Sequence, residues 1–323
     1  MTISVLKGLW LLLLSGFVSA LPNGFIAEVV TSTSAVTGIF APNPSQNGKP
    51  MLLLIQKEGQ VKVLEDPDES PSSRTILNLS DKMCTETERG LHSITVHPDF
   101  MTKPYVYLFY TKLKEGCLAD DSENGPWNVL ARFEMNTETL ALDYESRREI
   151  WRGAPTHDAV HNGGGLLFGN DGKIYLTTGD SGTQDNAQDR QTVHGSVIRL
   201  NEDGGTPRDN PFVSDSAYDA FDCKKSAGKV PAANATNTNA VCGEIFSNGL
   251  RNPFRAAINP NVQDKTVFAI SDVGARVWEE LNYGGTDYSG KNYGYKEYEG
   301  PCMRHSDSDC PVPEDPSFVE PFQ

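Results

Sequence analysis

Residues 165–177 read GLLFGNDGKIYLT, in which two short apolar runs flank an Asn-Asp-Gly turn at 170–172. Apolar runs joined by such a turn are typical of a β-hairpin. The runs Met51–Leu54 and Val61–Leu64 repeat this arrangement around a Lys-Glu-Gly turn. Because such hairpins recur and long amphipathic helical patterns are hard to find, the sequence predicts an all-β chain.

A longer repeat of strand, turn and strand recurs at three places. In each copy a strand ends at a Pro, Asn or Asp turn, and the copies lie about 70 to 90 residues apart. The first strands with their turns are Ile94–Asp99, Leu166–Asp171 and Ala256–Asn261, and the second strands begin at Tyr105, Ile174 and Val267. Sheets stacked radially bury faces that one sheet cannot, so we predict a β-propeller. A β-sandwich is the rival fold on pattern alone.

Other short apolar runs predict the remaining strands. One group of these runs precedes the 165–177 hairpin, one run continues the hairpin as a further strand, and a second group follows. The expected strands are Tyr105–Tyr110, Val129–Met135, Thr139–Leu142, Val197–Leu200 as the continuation of the hairpin, and Glu244–Phe246, Arg255–Ile258, Val267–Ile270 and Glu280–Leu281 as the next unit. The segment Ser214–Ala240 is poor in apolar residues, which indicates a surface insertion.

Composition and charge exclude some classes of function. The chain has 323 residues, with 28 basic and 43 acidic side chains and a net charge of -15. Such a surface repels phosphate backbones, so we expect no nucleic-acid partner. The 29 Gly and 20 Pro agree with many strands joined by turns. Acidic excess suits divalent cations, although its simpler meaning is solubility.

The N-terminus predicts export. Lys7 precedes the apolar run Leu9–Val18, and Val18-Ser19-Ala20 offers the small residues that signal peptidase accepts. We therefore expect residues 1–20 to be a cleaved signal peptide and residues 21–323 to be one secreted, extracellular domain. No further apolar run is long enough to span a bilayer, so we expect no membrane association after cleavage. An uncleaved anchor is the alternative.

Cysteines and sequons agree with an exported glycoprotein. An even number of cysteines in an exported chain indicates disulfides. The six are Cys84, Cys117, Cys223, Cys242, Cys302 and Cys310, and pairing in that order would close three short loops, one of them around the 214–240 insertion. Sequence alone leaves the pairing open. Asn78 and Asn234 begin glycosylation sequons.

Three stretches carry candidate chemistry. His161 precedes three glycines, which let backbone approach a ligand, and histidine titrates near neutrality as a general base should. Arg251 offers a bidentate clamp for a carboxylate, and Asn252 adds an amide donor. Between Asp272 and Tyr295, glycine-rich backbone beside carboxylates offers oxygens to calcium. Each stretch alone also has an ordinary structural explanation, as a turn histidine, a surface arginine or a solvated acidic turn.

Four stretches in the same order resemble the soluble, pyrroloquinoline-quinone-dependent glucose/sorbosone dehydrogenase family. They are Glu88–Leu91 with His97–Phe100, His161–Phe168 with Gly179–Gly182, Gly195–Pro211 with Gly249–Pro253, and Asp272–Tyr295. The resemblance covers roughly residues 24–312 and implies a six-bladed propeller with pyrroloquinoline quinone (PQQ) over its central channel.

The resemblance also implies residue roles. His161 matches the general base that takes the proton from the anomeric hydroxyl of an aldose sugar, which becomes a lactone as hydride passes to PQQ. Arg251 and Asn252 match residues that hold the cofactor. The backbone carbonyls of Gly274 and Ala275 match a calcium site.

This chain departs from the family pattern in three ways. Val160 stands where the family often has Asp, which removes a carboxylate that would orient the base. Glu88 stands where the glucose enzymes carry Gln, adding a charge near the cofactor. The chain also ends before the family's later blades, so we expect roughly four blades and a missing C-terminal segment, or a partner, to close the ring.

Two other functions remain open on the sequence. Hedgehog-interacting proteins share this domain and act as non-catalytic, extracellular binding propellers. His161 and Arg251 favour the enzyme, whereas Val160 and the absent blades favour the binding module. A calcium-dependent lactonase is disfavoured because its spaced metal-binding carboxylates are not evident.

The remaining histidines are less promising as bases. His157 lies close enough to His161 to be a rival base, and His97 belongs to a strand-end turn. We expect His92, His194 and His305 to be structural or exposed.

Overall fold

The structure is a computed structural model that describes residues 35–41, 51–65, 72–113, 117, 125–156, 158–300, 302–303 and 318–319. The expected signal peptide, His157, His305 and Cys310 lie outside these residues. Of the described chain, one four-residue segment, Pro211–Ser214 (α1), is α-helical. The all-β prediction is therefore confirmed. In the part of the chain that the structure describes, no helix has the length and apolar character needed to cross a bilayer.

Four antiparallel sheets follow one another along the chain. Sheet 1 comprises β1 (Val36–Phe40), β2 (Met51–Gln56), β3 (Gln60–Glu65) and β4 (Ser73–Asn78). Sheet 2 comprises β5 (Leu91–Val96), β6 (Tyr105–Lys112), β7 (Trp127–Met135) and β8 (Leu142–Pro155).

The next two sheets enclose the candidate site. Sheet 3 contains β9 (Leu166–Phe168), β10 (Ile174–Thr178), β11 (Ser196–Leu200) and, after two short parallel strands β12 (Asp219–Phe221) and β13 (Ala240–Cys242), β14 (Ile245–Asn248). Sheet 4 contains β15 (Pro253–Ile258), β16 (Val267–Asp272) and β17 (Glu280–Gly285). The small pair β18 (Tyr298–Glu299) and β19 (Cys302–Met303) follows.

The sheets pack face to face in chain order, as propeller blades do. Three apolar clusters fill the successive interfaces; Leu53 and Leu108 belong to the first, Leu130 and Leu176 to the second, and Leu167 and Phe268 to the third. The first strands of neighbouring sheets contact one another, β1 with β5, β5 with β9 and β9 with β15. The predicted propeller with about four blades is thus confirmed.

Two of the predicted strands were wrong in detail. Glu244–Phe246 was expected to open the fourth unit, but β14 pairs with β11 and completes sheet 3, with Ser196 opposite Asn248. Thr139–Leu142 was expected to be a strand, but Asn136 Oδ1 accepts the backbone N–H groups of Glu138 and Thr139 at 3.0 and 2.9 Å. That cap stabilises a turn, so β8 begins only at Leu142.

Two disulfides join cysteines that are consecutive in the chain, Cys84–Cys117 and Cys223–Cys242, which resolves part of the pairing that the sequence left open. The second holds the insertion after α1 against sheet 3. His97 follows β5, as expected, and is buried with Nε2 2.5 Å from Glu202 Oε2. His92 and His194 are also buried.

Candidate active site

The loop from Asp158 to Gly165 carries His161 to the start of β9. His161 and the two glycines after Asn162 have left-handed backbone, with φ of 52°, 75° and 151°. At Gly163 a Cβ would lie 2.4 Å from the carbonyl oxygen of Thr177, so the loop packs too closely on β10 for any side chain there. The glycines of this loop therefore allow the close packing on β10 that positions His161.

A buried carboxylate orients the imidazole. His161 Nδ1 lies 2.6 Å from Asp180 Oδ1, and the side chain of Asp180 is 0% exposed against 16% for His161. With Nδ1 donating to this carboxylate, Nε2 carries the lone pair of neutral imidazole. Within the described residues the imidazole makes its hydrogen bond through Nδ1, and Nε2 has no partner. The ring is therefore held on one side and able to accept a proton on the other.

Asp180 corrects the inference drawn from Val160. We expected Val160 to leave the imidazole without an orienting carboxylate, but Asp180 supplies one from the turn after β10. The signal was present in the Gly179–Gly182 stretch of the family resemblance. The same Asp180 oxygen accepts the backbone N–H of Gly182 at 2.8 Å, which fixes the carboxylate in place.

Glu88 also touches the His161 loop. Its Oε2 accepts the backbone N–H of His161 at 2.7 Å, and its own N–H donates to the Ala159 carbonyl at 3.0 Å. The exposed carboxylate therefore braces the loop from the turn before β5. Its expected place beside a cofactor stays a prediction.

Arg251 and Asn252 meet this loop from the turn before β15. Asn252 Oδ1 accepts the N–H of Gly163 at 3.1 Å, and the Arg251 carbonyl accepts the N–H of Asp180 at 2.8 Å. Asp180 thus links His161 and Arg251. Its carboxylate contacts the His161 imidazole, and its backbone N–H donates to the Arg251 carbonyl. The loops that carry His161 and Arg251, ninety positions apart, therefore contact each other. That the two side chains share one pocket stays a prediction.

The Asp272 carboxylate at the end of β16 anchors the turn that contains Arg251. Its oxygens accept the backbone N–H groups of Arg251 at 2.9 Å and Asn252 at 2.6 Å. Burial, with the nearby carboxylates of Glu280 and Asp180, raises the pKa of Asp272 to about 8. The sequence placed Asp272 in a calcium stretch, but its contacts show that it positions the turn.

Two hydrogen-bond donors of this site are buried and unpaired. Among the described residues, Arg251 Nε and Asn162 Nδ2 have no hydrogen-bond partner. Buried donors without partners are costly unless a ligand satisfies them. A guanidinium and an amide suit a ligand that presents carboxylate and carbonyl oxygens, so this donor set fits PQQ.

The loop with Gly274 and Ala275 encloses a carboxylate. Glu299 Oε1 accepts the N–H groups of four consecutive residues, from Ala275 to Trp278, at 2.9, 2.7, 2.9 and 3.2 Å. Burial would raise the pKa of Glu299, but these four donors outweigh it and lower the pKa. In the described chain the carbonyls of Gly274 and Ala275 accept no hydrogen bond, which leaves their oxygens available to water or to a cation. The calcium site itself stays a prediction.

Compact groups of metal-binding side chains lie elsewhere. In the described ranges two such groups occur, Cys84 with Glu86 and Cys117, and Cys223 with Cys242 and Glu244. Both contain a disulfide, whose sulfurs are not thiolates, so neither group suits a metal.

Comparison with known proteins gives both sequence and structural matches. A family model described as Glucose / Sorbosone dehydrogenase matches residues 43–221. Quinoprotein glucose dehydrogenase B of Acinetobacter calcoaceticus is 28% identical over 284 residues, covering 79% of this chain and 52% of that protein. Human hedgehog-interacting protein is 28% identical over 258 residues, covering 74% of this chain and 32% of that protein.

A solved structure shows the same fold. The PQQ-bound aldose sugar dehydrogenase of Streptomyces coelicolor aligns with a TM-score of 0.62 and 23% identity, covering 90% of this chain and 68% of that chain. The chain spans about half the length of the curated relatives it matches.

Proposed function

The chain belongs to the glucose/sorbosone dehydrogenase family, and from that premise we propose that it is an oxidoreductase that oxidises an aldose sugar at the anomeric carbon to a lactone. The observation that carries the proposal is the His161–Asp180 pair. The backbone N–H of Asp180 also donates to the Arg251 carbonyl, which connects the pair to the Arg251 turn. A buried carboxylate and an oriented imidazole suit proton abstraction. The Arg251 guanidinium, whose Nη1 donates to the Val273 carbonyl at 3.0 Å, is the group that we assign to an anionic cofactor.

His161 is the general base in this proposal. Its Nε2 takes the proton of the anomeric hydroxyl while Asp180 holds Nδ1 and stabilises the imidazolium that forms. Arg251, Asn252 and Asn162 would hold PQQ, and Gly274 and Ala275 would hold calcium. The chemistry that PQQ with calcium supplies when bound is acceptance of a hydride at a polarised carbonyl.

An assay with matched histidine variants tests this proposal. Purified protein given PQQ and calcium should reduce an artificial dye with at least one aldose, and His161→Ala should abolish the reduction. His97→Gln is the control, because His97 lies at the opposite end of β5 from Glu88. Loss of activity in both variants, or in neither, would contradict the assignment of the base.

A binding function is the second candidate, because human hedgehog-interacting protein has the same identity to the chain, 28%, as the bacterial dehydrogenase, over 258 residues against 284. Tight binding of PQQ without turnover on a broad aldose panel would favour this alternative. Absence of PQQ binding would remove the enzyme proposal.

Export remains part of the proposal, with residues 21–323 as one secreted domain. Two disulfides support it, because disulfides persist in oxidising compartments. Asn78 is exposed at the end of β4, whereas Asn234 is half-buried, so Asn78 is the more accessible glycosylation site. Glycopeptide mapping of the secreted protein tests both.

A further inference from the structure

A cleft of about 650 Å³ opens beside the middle of β8. The charged side chains that line it are Arg132, Arg148, Arg152, Lys224, Glu149 and Asp203. We call it the arginine cleft. Four cations against two carboxylates form a positive surface on a chain whose net charge is -15.

Glu149 does not neutralise the whole cleft. Its carboxylate already pairs with Lys112 at 2.8 Å, Arg147 at 2.9 Å and Arg152 at 2.6 Å. Asp203 Oδ1 accepts the backbone N–H of Gly205 at 2.8 Å. Across the described ranges, neither carboxylate forms an ion pair with Arg132, Arg148 or Lys224.

The sheet register places two of these cations side by side. Arg132 on β7 lies directly opposite Arg148 on β8. Like charges in this position repel each other and destabilise a sheet unless something lies between them. The guanidinium of Arg132 stacks 4.0 Å from the Tyr105 ring centroid, and in the described chain its Nε has no hydrogen-bond partner. Arg148 Nη1 donates to the Arg147 carbonyl at 3.1 Å.

Lys224 is held at the other side of the cleft. Its Nζ donates to the Gly204 carbonyl, and its backbone N–H donates to Glu244 Oε1 at 2.8 Å. The neighbouring Cys223–Cys242 disulfide anchors this segment. The ammonium therefore occupies a fixed position facing β8 rather than a free surface position.

We propose that the arginine cleft binds an oxyanion group with at least two negative charges, a phosphate or a sulfate. Guanidinium groups match the oxygens of such groups in bidentate geometry, and an anion between Arg132 and Arg148 relieves their repulsion. Arg148 precedes the Pro155 end of β8 by seven residues, which is about 20 Å of extended chain. Trp151, nearer that end of the strand, lines both the cleft and the small cavity beside His161, so the two sites are neighbours. The proposal nevertheless stands whether or not the chain is a dehydrogenase.

Calorimetry at about 10 mM ionic strength, where screening is weak, tests this proposal with inorganic pyrophosphate, sulfate and glucose as ligands. We expect pyrophosphate to bind, sulfate to bind more weakly and glucose not to bind at this site. Sulfate binding more tightly than pyrophosphate would identify the group as a sulfate. The double variant Arg148→Gln with Lys224→Gln should weaken pyrophosphate binding at least tenfold.

A matched control separates a built site from general charge. Arg74→Gln with Lys82→Gln removes the same charge from exposed positions on and beside sheet 1, where both side chains pair with neighbouring carboxylates. We expect this variant to bind pyrophosphate within twofold of the parent chain. Equal weakening in both double variants, or no binding of pyrophosphate or sulfate at millimolar concentration, would overturn the proposal.

Discussion

At the scale of single residues, Asp180 is the side chain on which the candidate site depends most. Its carboxylate contacts His161 Nδ1 and the Gly182 amide, and its own amide contacts Arg251. The sequence revealed it only as part of a glycine-rich motif. Nothing in the residue spacing shows that Asp180, nineteen positions after His161, supplies the carboxylate that Val160 lacks, because that contact depends on two loops meeting in space.

Replacement of Asp180 by Asn should separate catalysis from binding. The amide keeps the shape but removes the charge that orients and stabilises the imidazolium. We therefore expect kcat for dye reduction to fall about 10²-fold or more while KM changes little. Steady-state kinetics over a range of sugar concentrations measures both. Asp185→Asn, at an exposed position in the next turn, is the control, and an unchanged kcat in Asp180→Asn would contradict the role.

Gly163 and Gly172 form a matched pair for testing how the site loop is packed. Both have left-handed φ, 75° and 70°, but a Cβ at Gly163 would lie 2.4 Å from a carbonyl oxygen whereas one at Gly172 would meet nothing within 4 Å. Gly172→Ala should therefore cost about 1 kcal/mol of unfolding free energy from backbone strain alone. Gly163→Ala should cost about 3 kcal/mol, because overpacking adds to that strain. Urea denaturation measures both, and equal costs would mean that the loop shifts freely.

At the scale of elements, Glu149 links β6 and β8 through ion pairs with Lys112, Arg147 and Arg152. Burial alone would raise the pKa of this carboxyl, but the three cations lower the pKa to about 2. A folded-state pKa below the unfolded value means that the pairing stabilises the protein above about pH 4.5. This stabilisation is lost as the pH falls from there towards about 2.

Glu149→Gln should therefore lower the unfolding free energy at pH 6 by about 1 to 2 kcal/mol, after allowance for screening by solvent. The difference from the parent chain should shrink steadily below about pH 4.5 and nearly vanish near pH 2. Denaturant titrations at several pH values measure this. Glu145→Gln, exposed on the same strand, should show no such trend. A constant difference at every pH would show that packing, not charge, is responsible.

Strands with local turn signals were predictable, and strands defined by distant partners were not. The hairpin of β9 and β10 follows from its Asn-Asp-Gly turn, because turn chemistry and strand pairing lie within one short segment. The pairing of β11 with β14 spans the whole disulfide-bonded insertion, so the sequence assigned β14 to the wrong sheet. The turn at Asn136 was missed because one side-chain cap outweighed the β propensity of the residues after it.

At the scale of the whole molecule, the first and last of the four sheets also meet. Arg255 of β15 donates through Nη2 to the carbonyl of Thr37 in β1. Burial lowers the pKa of Arg255 to about 10. The family resemblance predicted a propeller. A contact between residues more than 200 positions apart, however, leaves no pattern in the local sequence from which it could be predicted.

The two disulfides brace different sites in this assembly. Their sequence separations are 33 residues for Cys84–Cys117 and 19 for Cys223–Cys242, so the chain-entropy model gives stabilisations of about 4 and about 3 kcal/mol. Buried Arg89 links the first disulfide to the candidate active site, because it donates to the Cys117 carbonyl and to Thr156 Oγ1, each at 3.0 Å. Thr156 in turn lines a small internal cavity with His161. The second disulfide instead adjoins Lys224 in the arginine cleft.

Breaking each disulfide should therefore impair one site and spare the other. Cys84→Ser with Cys117→Ser frees the segment whose Cys117 carbonyl accepts the hydrogen bond of Arg89, so dye reduction should fall. Pyrophosphate affinity should stay within about twofold of the parent chain. Cys223→Ser with Cys242→Ser should weaken pyrophosphate binding and leave dye reduction nearly unchanged. Each pair is the control for the other, since their expected costs in stability differ by only about 1 kcal/mol. If either variant loses both activities at a temperature where it remains folded, the two sites belong to one cooperative unit, coupled through Trp151, which lines both.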